Sequence, residues 1–194
     1  MGQGIRQRVA LFGGSFDPVH RGHLFIAERA VEACALDRVI FLPCWKSPHK
    51  TGQAISSPGD RVSMLEVASE GYEWAEVSEW ELSREEASYS WKTAEHFKEE
   101  LGRETELFWI VGTDQWEVIE TWARARYLAE LVTFIVFPRG GVAETKDGFR
   151  MELVDASFDA SSTEIRRRVR CGEPVGELVE PGVEEFIEER GLYL

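Results

Sequence analysis

The chain is poor in positive charge. Lysine and arginine together number 22 against 35 aspartates and glutamates, a formal net charge of −13. Such a surface repels polyanions, because nucleic-acid binding rests on Lys/Arg patches that neutralise backbone phosphate. DNA and RNA are therefore excluded as the main partner. A small nucleotide needs only a local positive site and is not excluded; the acidity itself serves solubility. Long apolar runs are also missing. No stretch reaches the roughly 18 to 20 residues that a membrane span requires, and the short polar opening from Met1 to Arg8 carries no signal-peptide pattern. Cysteine is scarce: Cys34, Cys44 and Cys171, an odd number, widely spaced, with no CxxC. Reduced thiols in a cytoplasmic protein are expected, rather than disulfides or a zinc site. No internal repeat, low-complexity tract or linker interrupts the chain. Residues 1–194 are expected to form a single domain.

What is present is an alternation. Hydrophobic residues make up 43% of the chain, and strand-like runs alternate with helix-like ones. Val9 to Phe12 reads as a buried strand ended by Gly13-Gly14. A helix follows from His20 to Leu36, with Leu24, Ala27, Val31 and Cys34 at helical spacing. Arg38 to Pro43 is the second strand, and Cys44 to Ile55 reads as a loop. Ser57-Pro58-Gly59-Asp60 starts a helix with a serine cap, a first-turn proline and an acid at the positive end. Further strands are expected at Trp74 to Val77, Glu106 to Val111, Leu131 to Phe137 and Met151 to Val154. Further helices are expected at Ser90 to Leu101, Ser161 to Arg170 and Pro181 to Arg190. The pattern implies an α/β fold with a doubly wound parallel sheet.

Only four histidines occur, and two stand three residues apart in Gly13-Gly14-Ser15-Phe16-Asp17-Pro18-Val19-His20-Arg21-Gly22-His23. Paired glycines after a strand let a ligand approach the backbone. The helix start behind them offers unpaired N–H groups and a positive dipole end, which suit phosphate. His20 and His23 share one face of the first turn, and each imidazole can donate to a phosphate oxygen. The dipole disfavours their charged forms there, a cost that a bound anion offsets. A metal site is the rival reading, but no third ligand of suitable spacing stands nearby.

GGSFDPVHRGH closely resembles the HxGH signature of the nucleotidyltransferase superfamily. Ala160-Ser161-Ser162-Thr163-Glu164-Ile165-Arg166 resembles its ISSTxIR segment. Alone, this is an ordinary capped helix start; after HxGH, in the expected order, it is specific. Three more segments are similar to those of nicotinate-nucleotide adenylyltransferases. Leu42 to Lys50 (LPCWKSPHK) resembles the loop ending in PPH plus a basic residue, with Ser47 in place of the first proline. Ser88 to Thr93 (SYSWKT) resembles SYT-x-x-T, with Ser90 at the first threonine position and Lys92 where an acid is common. Gly112-Thr113-Asp114 resembles GxD, and Glu120-Thr121-Trp122 follows it, with Ala123 where relatives often carry an aromatic residue or histidine. The likeness runs from Val9 to Tyr193.

The resemblance implies a Rossmann-like nucleotidyltransferase fold. It implies transfer of the adenylyl group of ATP to nicotinate mononucleotide, giving deamido-NAD and pyrophosphate. His20, His23 and Arg166, with Lys46 as a helper, would act on the ATP phosphates. Gly13, Gly14, Ser15, Phe16, Ser161, Ser162 and Thr163 would frame the ATP site. Ser90, Asp114, Trp122, Lys46 and His49 would bind the mononucleotide, Asp114 through ribose hydroxyls and Trp122 by stacking on the pyridine ring. Mg²⁺ is implied, held by substrate phosphates and water rather than by protein ligands. The partners are small molecules, with neither nucleic acid nor membrane, and a homo-oligomer is left open. Rivals are transfer to nicotinamide mononucleotide or phosphopantetheine, a catalytically inactive nucleotide sensor, or a fragment of an aminoacyl-tRNA synthetase. The SPHK loop and Trp122 disfavour phosphopantetheine. Intact His20, His23 and Arg166 argue against the sensor, and acidity against the synthetase fragment.

Overall fold

In a computed structural model of the protein, residues 6–46, 55–138, 143–156 and 158–194 are described. Among them, six strands form one parallel sheet in the order β3-β2-β1-β4-β5-β6. The strands are β1 (Arg8–Gly14), β2 (Arg38–Pro43), β3 (Ala75–Val77), β4 (Glu106–Gly112), β5 (Thr133–Phe137) and β6 (Met151–Leu153). Helices alternate with them: α1 (Arg21–Cys34), α2 (Pro58–Ser69), α3 (Ser90–Glu100), α4 (Thr113–Glu117), α5 (Ala125–Leu131), α6 (Ser162–Arg170) and α7 (Pro181–Arg190).

The central strands show why the sheet is covered on both faces. In β1, Val9 and Leu11 join one apolar cluster while Ala10 joins the other. In β2, Ile40 and Leu42 face the first cluster, and Val39 and Phe41 the second. Side chains alternate along a strand, so an unbroken apolar run must find cover on both sides. Residues of α1, α2, α6 and α7 close one face; residues of α3, α4 and α5 close the other.

Strand order then fixes the ligand site. From β1 the chain steps outward through β2 to β3; from β4 it steps the other way through β5 to β6. The reversal falls between β1 and β4, and ligands of open α/β sheets bind beyond the strand C-termini at that point. The glycines ending β1 and β4 stand there.

Most expected elements are found. Ser57 caps α2, its hydroxyl accepting from the Asp60 N–H at 3.1 Å. Ser161 caps α6 in the same way, accepting from the Glu164 N–H at 3.2 Å. One strand expectation needs correcting: Leu131 is not in a strand. It ends α5, whose last turn is closed by the Val132 N–H donating to the Leu128 carbonyl at 3.1 Å, so β5 begins only at Thr133. The helices α4 and α5 and the 3-10 turn Ile119–Thr121 were not expected. All three are too short for apolar periodicity to announce them.

Candidate active site

The expected phosphate side is built on the β1–α1 junction. Phe16 sits in the left-handed region, with φ 48°, and is buried. Its ring packs edge-on to Phe12 and to His23, at centroid distances of 5.6 and 5.0 Å. Gly14 is required by that ring, because a Cβ there would lie 2.9 Å from Phe16 Cζ. His20 is the N-cap of α1, with extended backbone, and only 4% exposed. Its ring stacks on His23, with centroids 3.7 Å apart. The His20 N–H donates to His23 Nδ1 at 3.2 Å. Nδ1 is therefore an acceptor, which puts the His23 ring proton on Nε2, a donor suited to a phosphate oxygen. Gly22 makes room for this pair: a Cβ there would meet His20 Nδ1 at 3.0 Å.

The segment from Ser161 to Arg166 docks onto this loop from far along the chain. The Ser162 hydroxyl donates to the Pro18 carbonyl at 2.9 Å. Arg166 Nη1 donates to the Asp17 carbonyl at 2.6 Å, and Nη2 to the Thr163 hydroxyl at 3.2 Å. Arg166 is thus brought to the junction that carries His20 and His23. The three hydroxyls differ in use. Ser161 caps α6, Ser162 holds the junction, and Thr163 accepts from Arg166.

The expected mononucleotide residues lie around α3 and the 3-10 turn. Ser90 is the first residue of α3 and half-buried. Trp122 follows the 3-10 turn and packs, half-buried, against the same apolar cluster as Trp91. Arg124 lays its guanidinium 4.3 Å from the Trp91 ring, so the Ser90 and Trp122 segments are neighbours. Asp114 is exposed in the first turn of α4, one residue past the end of β4 plus Thr113. Lys46 is exposed and lies beside the segment that leads into α3. It pairs with Ala87 as an isolated parallel bridge, its carbonyl accepts from the Ser88 N–H at 3.0 Å, and the Trp45 N–H donates to the Ser88 hydroxyl at 3.1 Å. His49 and Lys50 lie outside the described residues. Among the described residues, no group of three or more His, Cys, Asp or Glu could hold a metal ion.

Two residues given no role by sequence reasoning prove central. Asp17, 3% exposed, accepts from the Ile55 N–H at 2.6 Å, the Ser56 N–H at 3.2 Å and the Tyr193 hydroxyl at 2.8 Å. Burial pushes its carboxyl up, but hydrogen bonds from Ser56, Ile55 and Tyr193 outweigh burial and hold it below the usual carboxylate value. Arg61, 1% exposed, donates from Nη1 to the carbonyls of Ser15 and Cys44, at 2.8 and 2.9 Å. It ties the end of β1 to the end of β2. An acid inside the glycine motif and an arginine one turn into a capped helix were the only signals available.

Known proteins are consistent with this geometry. A cytidylyltransferase-like family model matches residues 11–168. The chain belongs to the cytidylyltransferase-like family. Within it, the chain is similar to the probable nicotinate-nucleotide adenylyltransferase of Hydrogenobaculum sp. (strain Y04AAS1), 38% identical over 191 residues, covering 95% of this chain and 97% of that one. It is also similar to the protein of that name from Clostridium botulinum (strain Eklund 17B / Type B), 35% identical, with 96% and 98% covered. Nicotinic acid mononucleotide adenylyltransferase of Plasmodium falciparum, complexed with NaAD, shares the fold. Its TM-score is 0.78, with 17% identity over 97% of this chain and 98% of that one. The parallel sheet described above is thus the fold of a cytidylyltransferase-like domain.

Proposed function

We propose that the chain transfers the adenylyl group of ATP to nicotinate mononucleotide, releasing pyrophosphate and forming deamido-NAD for NAD synthesis. The observation that carries this reading is the docking of α6 onto the β1–α1 junction. Ser162 and Arg166 reach Pro18 and Asp17 across 144 and 149 residues of sequence. One basic, donor-rich corner forms beside the topological switch point, in a chain 38% identical to a relative named for this reaction.

The chemistry needs little from the protein beyond placement. The mononucleotide phosphate is mostly a dianion at neutral pH, with a second pKa of about 6, so no general base is needed. Its oxygen attacks the α-phosphorus of ATP in line; a new P–O bond forms as the bond to pyrophosphate breaks. Negative charge grows on the α-phosphate oxygens and on the leaving group. His20, His23 and Arg166 hydrogen-bond to that charge. Gly13, Gly14, Ser15 and Phe16 frame the approach, and α6 presents its N-terminus and Thr163 beside ATP. Ser90, Asp114, Trp122, Lys46 and His49 hold the mononucleotide, with Trp122 against the pyridine ring. No cage of protein ligands is offered to a metal among the described residues. Mg²⁺ would come with the substrate phosphates, held by them and by water, and would screen charge there. The reaction uses free nucleotides, none of the three cysteines is in a disulfide, and no helix among the described residues is long and apolar enough to cross a membrane. The cytoplasm is the compartment that this reading assigns.

The test is pyrophosphate release with ATP and Mg²⁺, comparing nicotinate mononucleotide with its amide. A large preference for the acid is expected. Equal rates would replace the reading with a dual-specificity transferase, and no release with either would overturn it.

A further inference from the structure

The last residues of the chain reach the reacting corner from the opposite direction. Gly191 ends α7 in the left-handed region, and the Leu192 N–H donates to the Ile187 carbonyl at 3.0 Å. This is the glycine-terminated helix end that turns a chain back on itself. The turn carries Tyr193 inward, where it is 6% exposed, with φ 68°, a conformation disfavoured for a residue bearing a large side chain. Its ring joins the apolar cluster on the α1–α2–α7 face. Its hydroxyl donates to Asp17 Oδ1 at 2.8 Å and accepts from the Ser56 hydroxyl at 2.8 Å.

Asp17 thus has two ends with different duties. Its carboxylate is gripped by Tyr193 and by the N–H groups of Ile55 and Ser56. Its carbonyl receives Arg166 Nη1. The carboxyl carbon and the carbonyl carbon are three bonds apart, through Cβ and Cα, so a side chain gripped at its far end limits how far the Asp17 backbone, and that carbonyl with it, can shift. We propose that Tyr193 and Asp17 are positioning residues for adenylyl transfer: Tyr193 fixes the Asp17 carboxylate, and the Asp17 carbonyl then aims Arg166 at the ATP phosphates. Tyr193 touches no substrate and acts through Asp17. The bracing is distributed, since Ser56 sits at the entry to α2 and the Arg21 N–H and Nε donate to the Leu178 and Val179 carbonyls at 2.8 and 3.0 Å. Tyr193 and Asp17 connect that bracing to the guanidinium.

The inference rests on the assignment of Arg166 to the ATP phosphates, and the test separates the two. Steady-state pyrophosphate release and thermal unfolding are measured for Tyr193→Phe, Arg166→Lys and the double variant. Tyr193→Phe keeps the ring and removes one hydroxyl. It is expected to lower kcat about tenfold while KM for the mononucleotide moves less than about twofold, since misaligned charge stabilisation costs the transition state rather than binding. In the Arg166→Lys background the same change is expected to cost less than about twofold, because residues acting as a unit are not additive. Unchanged kcat in Tyr193→Phe, or an equal loss in both backgrounds, overturns the inference. Full turnover in Arg166→Lys overturns the Arg166 assignment, and the inference with it. Should Tyr193→Phe not fold, Ser56→Ala, which removes the hydroxyl donated to Tyr193, takes its place with the same expected split and the same overturning results.

Discussion

The two halves of the proposed site are built differently. On the phosphate side, Phe16, Asp17 and His20 are 1%, 3% and 4% exposed. Asp17 and Pro18 are joined to α6, and Asp17 also to the entry of α2 and to Tyr193, by hydrogen bonds between segments far apart in sequence. On the mononucleotide side, Ser90 and Trp122 are half-buried, while Asp114 and Lys46 are exposed. Those residues come from a helix start, a 3-10 turn and the ends of loops. Transition-state charge is stabilised only by groups already in place, so the half that meets it is over-determined. Recognition of a flat aromatic ring tolerates looser walls, because stacking is less directional than a charged hydrogen bond.

The comparison breaks first at His20. His20→Ala should lower kcat on the order of a thousandfold, the loss typical of one preorganised donor to a developing oxyanion, while thermal unfolding shows a folded protein. Turnover within about tenfold of the parent, below the roughly hundredfold low end for a single acid–base or donor group, would remove His20 from the mechanism. Gly22→Ala tests the same corner without touching a functional group. Alanine is the better helix residue by roughly 0.5–1 kcal/mol, yet its Cβ would stand 3.0 Å from His20 Nδ1 and 3.2 Å from Phe158 Cδ1. A loss of about one to two orders of magnitude in kcat is expected from displacing His20 by a few tenths of an ångström. Parent-like kcat in a folded Gly22→Ala protein would mean that the stacked histidine geometry is not what the reaction requires.

The same contrast decides what the sequence could disclose. The β1–α1 junction was legible because its chemistry is local. Glycines, helix start and both histidines lie within eleven residues, and the strands and caps follow from short apolar runs and serines with a known job. Asp17 was in view but given no role, because its partners Ile55, Ser56 and Tyr193 are set by tertiary packing and leave no spacing to read. Arg61 was hidden likewise, since a charged residue early in a helix ordinarily faces water. On the mononucleotide side, the turn and the short helices that place Trp122 lack a periodicity of their own. Leu131 was misassigned there for the same reason. A helix of two turns running directly into an apolar strand reads as one longer strand.

The looser half is sharpened by Trp122. Stacking of a base on an aromatic side chain contributes about 1–3 kcal/mol, so Trp122→Ala should raise KM for the mononucleotide at least about fivefold. KM for ATP should move far less. Equal shifts in both constants would end the stacking role. They would also suggest that the 3-10 turn collapses, since Trp122 packs on the cluster under α3 and α5.

The smallest effect expected concerns acid stability, and its sign follows from Asp17. Its carboxyl is held below the ordinary value near 3.8 by the hydrogen bonds of Ser56, Ile55 and Tyr193, which outweigh burial. A carboxylate with a depressed folded-state pKa stabilises the fold above its unfolded pKa. That contribution is lost as pH falls through the folded value. Asp17 should therefore leave stability flat from about pH 5 upward and add to its fall below about pH 4, by at most about 1.4 kcal/mol per pH unit for one proton. Asp17→Asn should be less stable than the parent at neutral pH, with the difference narrowing as pH drops below 4. Denaturant unfolding at pH 7, 4 and 3 measures this. A difference that stays constant across the three would mean that the Asp17 charge is not what the Tyr193 and Ser56 contacts hold.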